Sequence, residues 1–180
     1  MLLKSFSEFY HNETKYSPEG LSKNTRGLDW TKQPVPFKEY KKSAKTELGH
    51  YISKHTIKKE TDELSPEEKN QSRISKLLYF TNGITAIIPY NPPLFLRAAP
   101  SAGGLYPTEV YLIINDYPGI DDGIYNYQPK THSIVKISEG NYHEKIKKAC
   151  FNHPSFDKSK ISLVFTGVFY RSSWRYEDRA

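Results

Sequence analysis

Residues 97–114 read RAAPSAGGLYPTEVYLII, a turn of small residues that leads into an apolar run. The apolar run, residues 110–114, is hydrophobic at consecutive positions, which predicts a strand covered on both faces. Residues 101–104 precede it, and their short side chains allow a backbone to approach a flat ligand closely. The stretch therefore predicts a buried strand with a candidate ligand-contacting turn at its entrance.

A helix is predicted upstream of this turn, over residues 66–82. Ser65 can cap it, Pro66 suits the first helical position, and Glu68 completes a capping box. Gly83 can close its C-terminus. The apolar positions with the spacing of one buried face are Ile74, Leu77 and Leu78.

The remaining predicted elements are a loop, a hairpin, a short helix and a strand. Three prolines interrupt residues 84–96, which predicts a loop. The β-prone runs 124–127 and 133–137 flank a turn-forming stretch, which predicts a hairpin. Residues 161–169 are a long apolar run, which predicts the most buried strand. A short helix is predicted between the hairpin and that strand, and its apolar face comprises Tyr142, Ile146, Ala149 and Cys150.

This order of elements favours an α+β fold, because it lacks the regular alternation of a doubly wound sheet. Residues 1–60 are polar and punctuated by Pro and Gly, yet they are rich in aromatic side chains. These include Phe6, Phe9, Tyr10, Tyr16, Trp30, Phe37 and Tyr40. Such a composition is unlike a disordered tail. We therefore predict an N-terminal arm or extension over residues 1–60 and a folded domain over residues 61–180.

The overall composition excludes several classes of protein. The net charge of +6 is spread along 180 residues, and no RNP-like motif is present, so we expect no nucleic-acid binding. One cysteine excludes an internal disulfide, and six histidines without ligand spacing predict no metal site. Neither a signal peptide nor a bilayer-spanning apolar segment is evident, so we predict a cytoplasmic protein with no membrane partner.

The small-residue turn has two interpretations. Main-chain N–H and C=O groups along a flavin edge can hydrogen-bond the polar atoms of the ring and set its electronics. Arg97 stands just upstream, with a planar fork of donors suited to a phosphate or a flavin carbonyl. The alternative is a plain tight turn ahead of a strand, with Arg97 in a surface ion pair. The residues alone leave both interpretations open.

The same stretch resembles the signature of a known family. RAAPSAGGLYPTEVY, residues 97–111, is similar to that of SagB/ThcOx-type FMN-dependent dehydrogenases, which belong to the nitroreductase-like superfamily. Residues 123–127 resemble the Gly-x-Tyr-x-Tyr hairpin of that family, and residues 168–179 resemble its Arg-x-x-Trp-Lys-Tyr-x-x-Arg segment. Further stretches similar to its N-terminal arm lie at residues 14–15, 28–30 and 36–40.

The resemblance implies a nitroreductase-like fold, with a mainly antiparallel sheet flanked by helices, from a chain incomplete at its C-terminus. It implies FMN bound at a homodimer interface and oxidation of azolines, the thiazoline and oxazoline rings of modified peptides. Peptide substrates or partners in a modification complex are implied as well. The cofactor-binding residues that it assigns are Arg97, Ser101, Ala102, Gly103 and Leu105, with Tyr106 beside them. The family's proton-transferring Lys-Tyr pair corresponds to Arg175 and Tyr176, the predicted catalytic residues.

Two departures from the family pattern leave alternatives open. A guanidinium stays protonated and cannot act as a base near neutral pH, so Arg175 in place of Lys leaves Tyr176 to move the proton. The family's motif runs on into further helices, whereas this sequence ends at Ala180, which predicts a truncated or split domain. A non-catalytic or truncated member serving as a scaffold or peptide-binding subunit is therefore the alternative function. A small basic interaction domain unrelated to flavin is the third.

Overall fold

The computed structural model describes residues 5–23, 27–41, 43–53, 56–57 and 64–177. The helices in these ranges are α1 (Phe6–Thr14), α2 (Pro18–Lys23), α3 (Pro66–Asn82), α4 (His143–Ala149) and α5 (Phe169–Tyr176). The strands are β1 (Lys45–Glu47), β2 (Ile52–Ser53), β3 (Thr56–Ile57), β4 (Ile84–Ile88), β5 (Leu94–Arg97), β6 (Thr108–Ile114), β7 (Gly123–Gln128), β8 (Ser133–Glu139) and β9 (Ile161–Gly167).

A five-stranded sheet organises these elements in the order β1-β8-β7-β6-β9. Every neighbouring pair in it is antiparallel. Two further hairpins, β2–β3 and β4–β5, form two-stranded sheets of their own. The predicted α+β fold, with a mainly antiparallel sheet and flanking helices, is confirmed. Among the described residues, none of the helices combines the length and apolar character that crossing a bilayer requires.

Strand β6 has both faces covered, as predicted for residues 110–114. Val110, Leu112 and Ile114 alternate toward one face and belong to the hydrophobic core, together with Ile74 and Leu78 of α3. On the other face, the hydroxyl of Tyr111 accepts a hydrogen bond from Lys38 Nζ at 2.8 Å. The strand is therefore packed between the helix α3 and the segment that contains Lys38.

Helix α3 begins and ends where the sequence predicts. The Ser65 hydroxyl accepts from the Glu68 N–H at 3.2 Å, and the Glu68 carboxylate accepts from the Ser65 N–H at 2.8 Å. Gly83 ends the helix with its N–H donating to Tyr79 O, and an added Cβ at Gly83 would lie 2.6 Å from that oxygen. The prediction for Leu77 is wrong, since Leu77 is 41% exposed and its neighbour Leu78 is buried.

The predicted loop over residues 84–96 is instead the hairpin of β4 and β5. Pro89, Pro92 and Pro93 all lie between its strands, where the missing N–H of proline costs no ladder hydrogen bond. The β-branched residues of 84–88 are then free to pair. The prolines therefore indicate the irregular connection at residues 89–93 correctly, but the predicted loop also included the residues of the two strands.

Residues 161–169 are not the most buried strand. β9 pairs only with β6 among the described strands and lies at the edge of the sheet, with Phe165 56% exposed. The strand also ends earlier than predicted, at Gly167, and Phe169 begins α5. The face predicted for the short helix α4 is wrong at Ala149, which is exposed. The hairpin predicted from 124–127 and 133–137 is confirmed as β7–β8.

Part of the N-terminal 60 residues contributes directly to the sheet and core. β1 pairs with β8, and Leu48 and Tyr51 lie within the hydrophobic core. Farther upstream, the aromatic side chains of α1 are exposed on this chain. The division of the chain at residue 60 stays a prediction.

Candidate functional site

The small-residue turn between β5 and β6 is built by Ser101 and by left-handed backbone conformations. The Ser101 hydroxyl accepts from the Tyr106 N–H at 2.9 Å, and Ser101 O accepts from the Gly104 N–H at 3.0 Å. Gly103 and Gly104 both have φ of 65°, and Tyr106 has φ of 47°. Glycine adopts this conformation without steric cost, which explains the glycine pair in the sequence.

A cavity of about 350 Å³ opens beside this turn. Its walls are formed by residues 100–102 and 106–108, by Asn82 at the end of α3, and by Ser172 and Tyr176 of α5. The cavity therefore brings together four of the residues predicted in or beside the site, Ser101, Ala102, Tyr106 and Tyr176. Sequence reasoning missed Asn82, Thr108 and Ser172, because residues so far apart in the chain meet only through the fold.

Helix α5 lies directly against the turn. A Cβ added at Gly103 would be 3.1 Å from the hydroxyl oxygen of Tyr176 and 3.2 Å from Cδ of Arg175. At Gly104 the nearest atom to such a Cβ would be Leu94 Cδ1, at 3.6 Å, which is ordinary contact. Gly103 thus serves both the backbone conformation and the close approach of the predicted catalytic pair.

Arg97 lies behind the turn rather than on the wall of the described cavity. Its side chain is 5% exposed, with the guanidinium carbon 5.0 Å from the Phe37 ring centroid and 4.6 Å from that of Tyr106. Nη2 donates to Pro36 O at 2.5 Å, and Nε and Nη1 have no hydrogen-bond partner among the described residues. Burial lowers the pKa of Arg97, and the charge of Glu109 opposes that shift.

The interpretation of Arg97 as one partner of a surface ion pair is therefore wrong. Arg97 is buried, and the two aromatic rings close to its guanidinium stabilise the charge. Leu105 is likewise buried, at 3% exposure, and does not line the described cavity. The contact of Arg97 and Leu105 with a cofactor stays a prediction.

Arg171 is a buried residue of α5 whose role sequence reasoning missed. Its Nη1 donates to the carboxylate of Glu109 and, at 2.8 Å, to Tyr106 O in the turn. Its Nε donates to Val35 O at 3.1 Å. Arg171 and Glu109 are 4% and 2% exposed. Glu109 lies within residues 97–111, the stretch that resembles the family signature. An acidic residue at the entrance of a buried strand requires a positively charged partner, and this was the sequence signal that could have indicated Arg171.

A second cavity, of about 270 Å³, shares no lining residue with the first and has His132 in its wall. The two ring nitrogens of His132 lie 2.8 Å from the Ser75 hydroxyl and 2.7 Å from the Tyr127 hydroxyl. Burial lowers the pKa of His132 from its usual value of about 6.5 to about 4. In the described ranges, no cluster of three or more His, Cys, Asp or Glu side chains is arranged to hold a metal ion.

No protein-family model matches this chain, and the known proteins similar to it include the following two. A protein of Methanocaldococcus jannaschii, named as a candidate nitroreductase, is 31% identical over 83 residues, or 46% of this chain and 42% of that protein. A crystal structure of a candidate nitroreductase from Anabaena variabilis is 42% identical, with a TM-score of 0.85, over 98% of this chain and 34% of that one. The chain spans less than half the length of either relative. It is nitroreductase-like in fold and in sequence.

Proposed function

We propose that this nitroreductase-like chain forms part of an FMN-dependent oxidoreductase, with the flavin ring system beside the turn at residues 101–104. One observation carries the proposal: Ser101, Ala102 and Tyr176 line one cavity of about 350 Å³. Its volume falls within the range of roughly 300 to 1,000 Å³ that is typical of small-molecule sites. The two nitroreductase-named relatives and the sequence signature of residues 97–111 support the same chemistry.

The residues around the cavity suit a flat ring with polar edges. Ala102 and Gly103 are exposed, so little side-chain bulk stands between their backbone and a ligand. A larger residue at position 103 would fill the gap between the turn and α5. Asn82, Ser172 and Tyr176 supply hydrogen-bonding groups at the walls. We propose that these residues hold the ring, with the main chain of the turn along its edge.

Bound flavin supplies the two-electron acceptor of the reaction. The residues of the chain orient the reactants and handle the proton that leaves the substrate. Tyr176 of α5 lines the cavity; its phenolate form would accept that proton, and the phenol so formed would return it. A guanidinium is a fixed positive charge, and that of Arg175, next to Gly103, can hold an anionic group.

The substrate class that we propose is an azoline ring in a modified peptide, on the basis of the resemblance to SagB/ThcOx-type enzymes. Converting an azoline into an azole removes two electrons and two protons, and one ring proton must pass to a group of the protein. A homodimer is proposed on the same basis. Large exposed apolar side chains on α3 and on strand β4, among them Phe80 and Ile87, support an interface there.

FMN uptake tests the proposal. We expect the purified chain, titrated with FMN, to quench flavin fluorescence and retain a yellow colour after desalting. Ala102→Trp should abolish uptake by filling the cavity, whereas the matched change Ala149→Trp on exposed α4 should leave it intact. The proposal is wrong if the parent chain takes up no FMN. It is also wrong if the Ala102→Trp variant binds FMN as well as the parent does.

The proposed role of Tyr176 has a separate test. Tyr176→Phe should retain FMN and lower turnover of an azoline peptide by on the order of a hundredfold, because proton transfer loses its acceptor. Tyr90→Phe, which alters an exposed tyrosine on the β4–β5 connection, is the matched control. Arg175→Lys restores the amine of the family and should raise turnover. Equal turnover in Tyr176→Phe and Tyr90→Phe would exclude Tyr176 as the proton-transfer group.

A further inference from the structure

The segment of residues 29–36, which we call the strap, runs along α5 and is held through its main-chain oxygens. The indole N–H of Trp174 donates to Asp29 O at 3.1 Å. One helical turn earlier, the hydroxyl of Tyr170 donates to Lys32 O at 3.3 Å. Both donors come from α5, so the first half of the strap is fastened to this helix.

Two buried arginines hold the other end of the strap. Arg171 Nε donates to Val35 O at 3.1 Å, and Arg97 Nη2 donates to Pro36 O at 2.5 Å. Through Nη1, Arg171 also donates to Tyr106 O at 2.8 Å. The guanidinium of Arg171, a residue of α5, therefore bonds both the strap and the end of the small-residue turn.

Helix α5 depends on such contacts for its position. It has only eight residues, and an isolated helix of that length is not stable in water. Its start is fixed by the Val168 N–H, which donates to Pro107 O at 2.8 Å. Along its length, the ring of Trp174 meets the ring of Trp30 edge-on, with 5.5 Å between centroids. The strap therefore supplies much of what fixes the helix beyond its first turn.

We infer that the strap is a positioning element of the candidate site: by fixing α5 it holds Tyr176 against the turn at residues 101–104. Arg171 is the positioning residue at its centre, since it bonds the strap and the turn at once. The strap acts on the site through α5, and none of its residues lines the described cavity. The role of Tyr176 in the reaction rests on the proposed function, whereas the coupling of strap, helix and turn does not.

Amide hydrogen exchange of the full chain, without added cofactor, tests this inference. The double variant Tyr170→Phe/Trp174→Phe keeps aromatic rings at both positions and removes both donors to the strap. We expect exchange in residues 101–106 and 170–176 to become faster by on the order of tenfold, since each lost hydrogen bond weakens the local structure. Exchange in β7 should stay unchanged. Tyr90→Phe, an exposed tyrosine outside the strap, is the control.

Wild-type exchange rates in residues 101–106 of the double variant would overturn the inference, whether or not the strap itself exchanges faster. If β7 exchanges faster as well, the single variant Trp174→Phe replaces the double variant in the same comparison. FMN titration separates this inference from the proposed function. If the double variant exchanges faster but the parent chain takes up no FMN, the inference about the strap holds and the flavin proposal is wrong. If the parent chain takes up FMN but the double variant exchanges at the wild-type rate, the flavin proposal holds and the inference about the strap is wrong.

Discussion

A methyl group at Gly103 would lie 3.1 Å from the hydroxyl oxygen of Tyr176, so a side chain at this position would press on α5. Gly104 has the same φ of 65° and a looser environment, with Leu94 Cδ1 at 3.6 Å as the nearest atom to an added Cβ. The two glycines therefore separate the cost of the backbone conformation from the cost of the contact with α5.

We predict that Gly103→Ala and Gly104→Ala each lower the free energy of unfolding by about 1 to 2 kcal/mol, because alanine is strained in the left-handed region. Only Gly103→Ala should also weaken FMN binding, since Tyr176 and Arg175 must move aside for the added methyl group. Urea unfolding measures the first effect and FMN titration the second. Equal FMN affinities in the two variants would contradict the proposed contact between turn and helix.

The ion pair of Arg171 and Glu109 is the next target, because both side chains are almost fully buried. We predict that Arg171→Met lowers the free energy of unfolding by about 3 to 5 kcal/mol, since it leaves Glu109 charged and unpaired. The double variant Arg171→Met/Glu109→Leu should recover part of that loss. Recovery should be incomplete because Val35 O and Tyr106 O also lose their donor.

Chemical denaturation of the single and double variants checks this prediction. Asp157→Asn, which breaks the exposed pair of Lys147 and Asp157, is the control and should leave the unfolding midpoint unchanged. A double variant no more stable than Arg171→Met would show that the carbonyl contacts, rather than the buried charge, dominate the cost.

Arg97 should tolerate removal of its charge better than Arg171. Two of its guanidinium nitrogens lack partners among the described residues, so Arg97→Met removes a buried charge that is only partly compensated. We predict a loss of unfolding free energy smaller than that of Arg171→Met by about 2 kcal/mol. FMN titration of the same variant tests the cofactor contact predicted from the sequence. Unchanged affinity would remove Arg97 from the cofactor-binding set.

His132 should make stability depend on pH on the acid side. Its pKa is about 4 in the folded chain and about 6.5 when the ring is hydrated, so between these values the unfolded chain binds the extra proton. Stability should therefore be full above about pH 6.5 and decline as the pH falls toward 4, by up to about 3 kcal/mol.

Urea unfolding at pH 7 and pH 5 measures this decline. His132→Asn removes the titrating ring while tolerating the left-handed backbone at this position, φ 45°, and should flatten the pH dependence. His11→Asn, on the exposed face of α1, should not. A parent chain with equal stability at both pH values would show that His132 is protonated without cost in the folded state.

Local rules in the sequence predict the elements whose signals come from short-range chemistry. Ser65 and Glu68 specify the start of α3 because a capping box needs only four residues. The runs around residues 129–132 specify the β7–β8 hairpin in the same way. The grouping of Ser101, Ala102 and Tyr176 comes from the family resemblance rather than from a local rule. All three line one cavity, and their roles stay predictions.

Predictions about burial fail where they depend on which neighbour covers a surface. The apolar run at residues 161–169 indicates a need for cover, but its place at the edge of the sheet depends on the topology of the other strands. Leu77 follows the helical spacing of Leu78, yet the core reaches only one of them. The burial of Arg97 and Arg171 is not evident from the sequence, because the carbonyl oxygens that they bond, Pro36 O and Val35 O, come from residues 61 and 136 positions away.

The bonds that fasten the strap are made to carbonyl oxygens, which every amino acid possesses. With the exception of Trp30, whose ring meets Trp174, we therefore expect its side chains to be exchangeable among homologues as long as the chain follows the same path. Selection would then act on the donors Arg97, Tyr170, Arg171 and Trp174, whereas the sequence of the strap itself would vary. An alignment based on residue identity would then show the strap as a variable linker and miss its role.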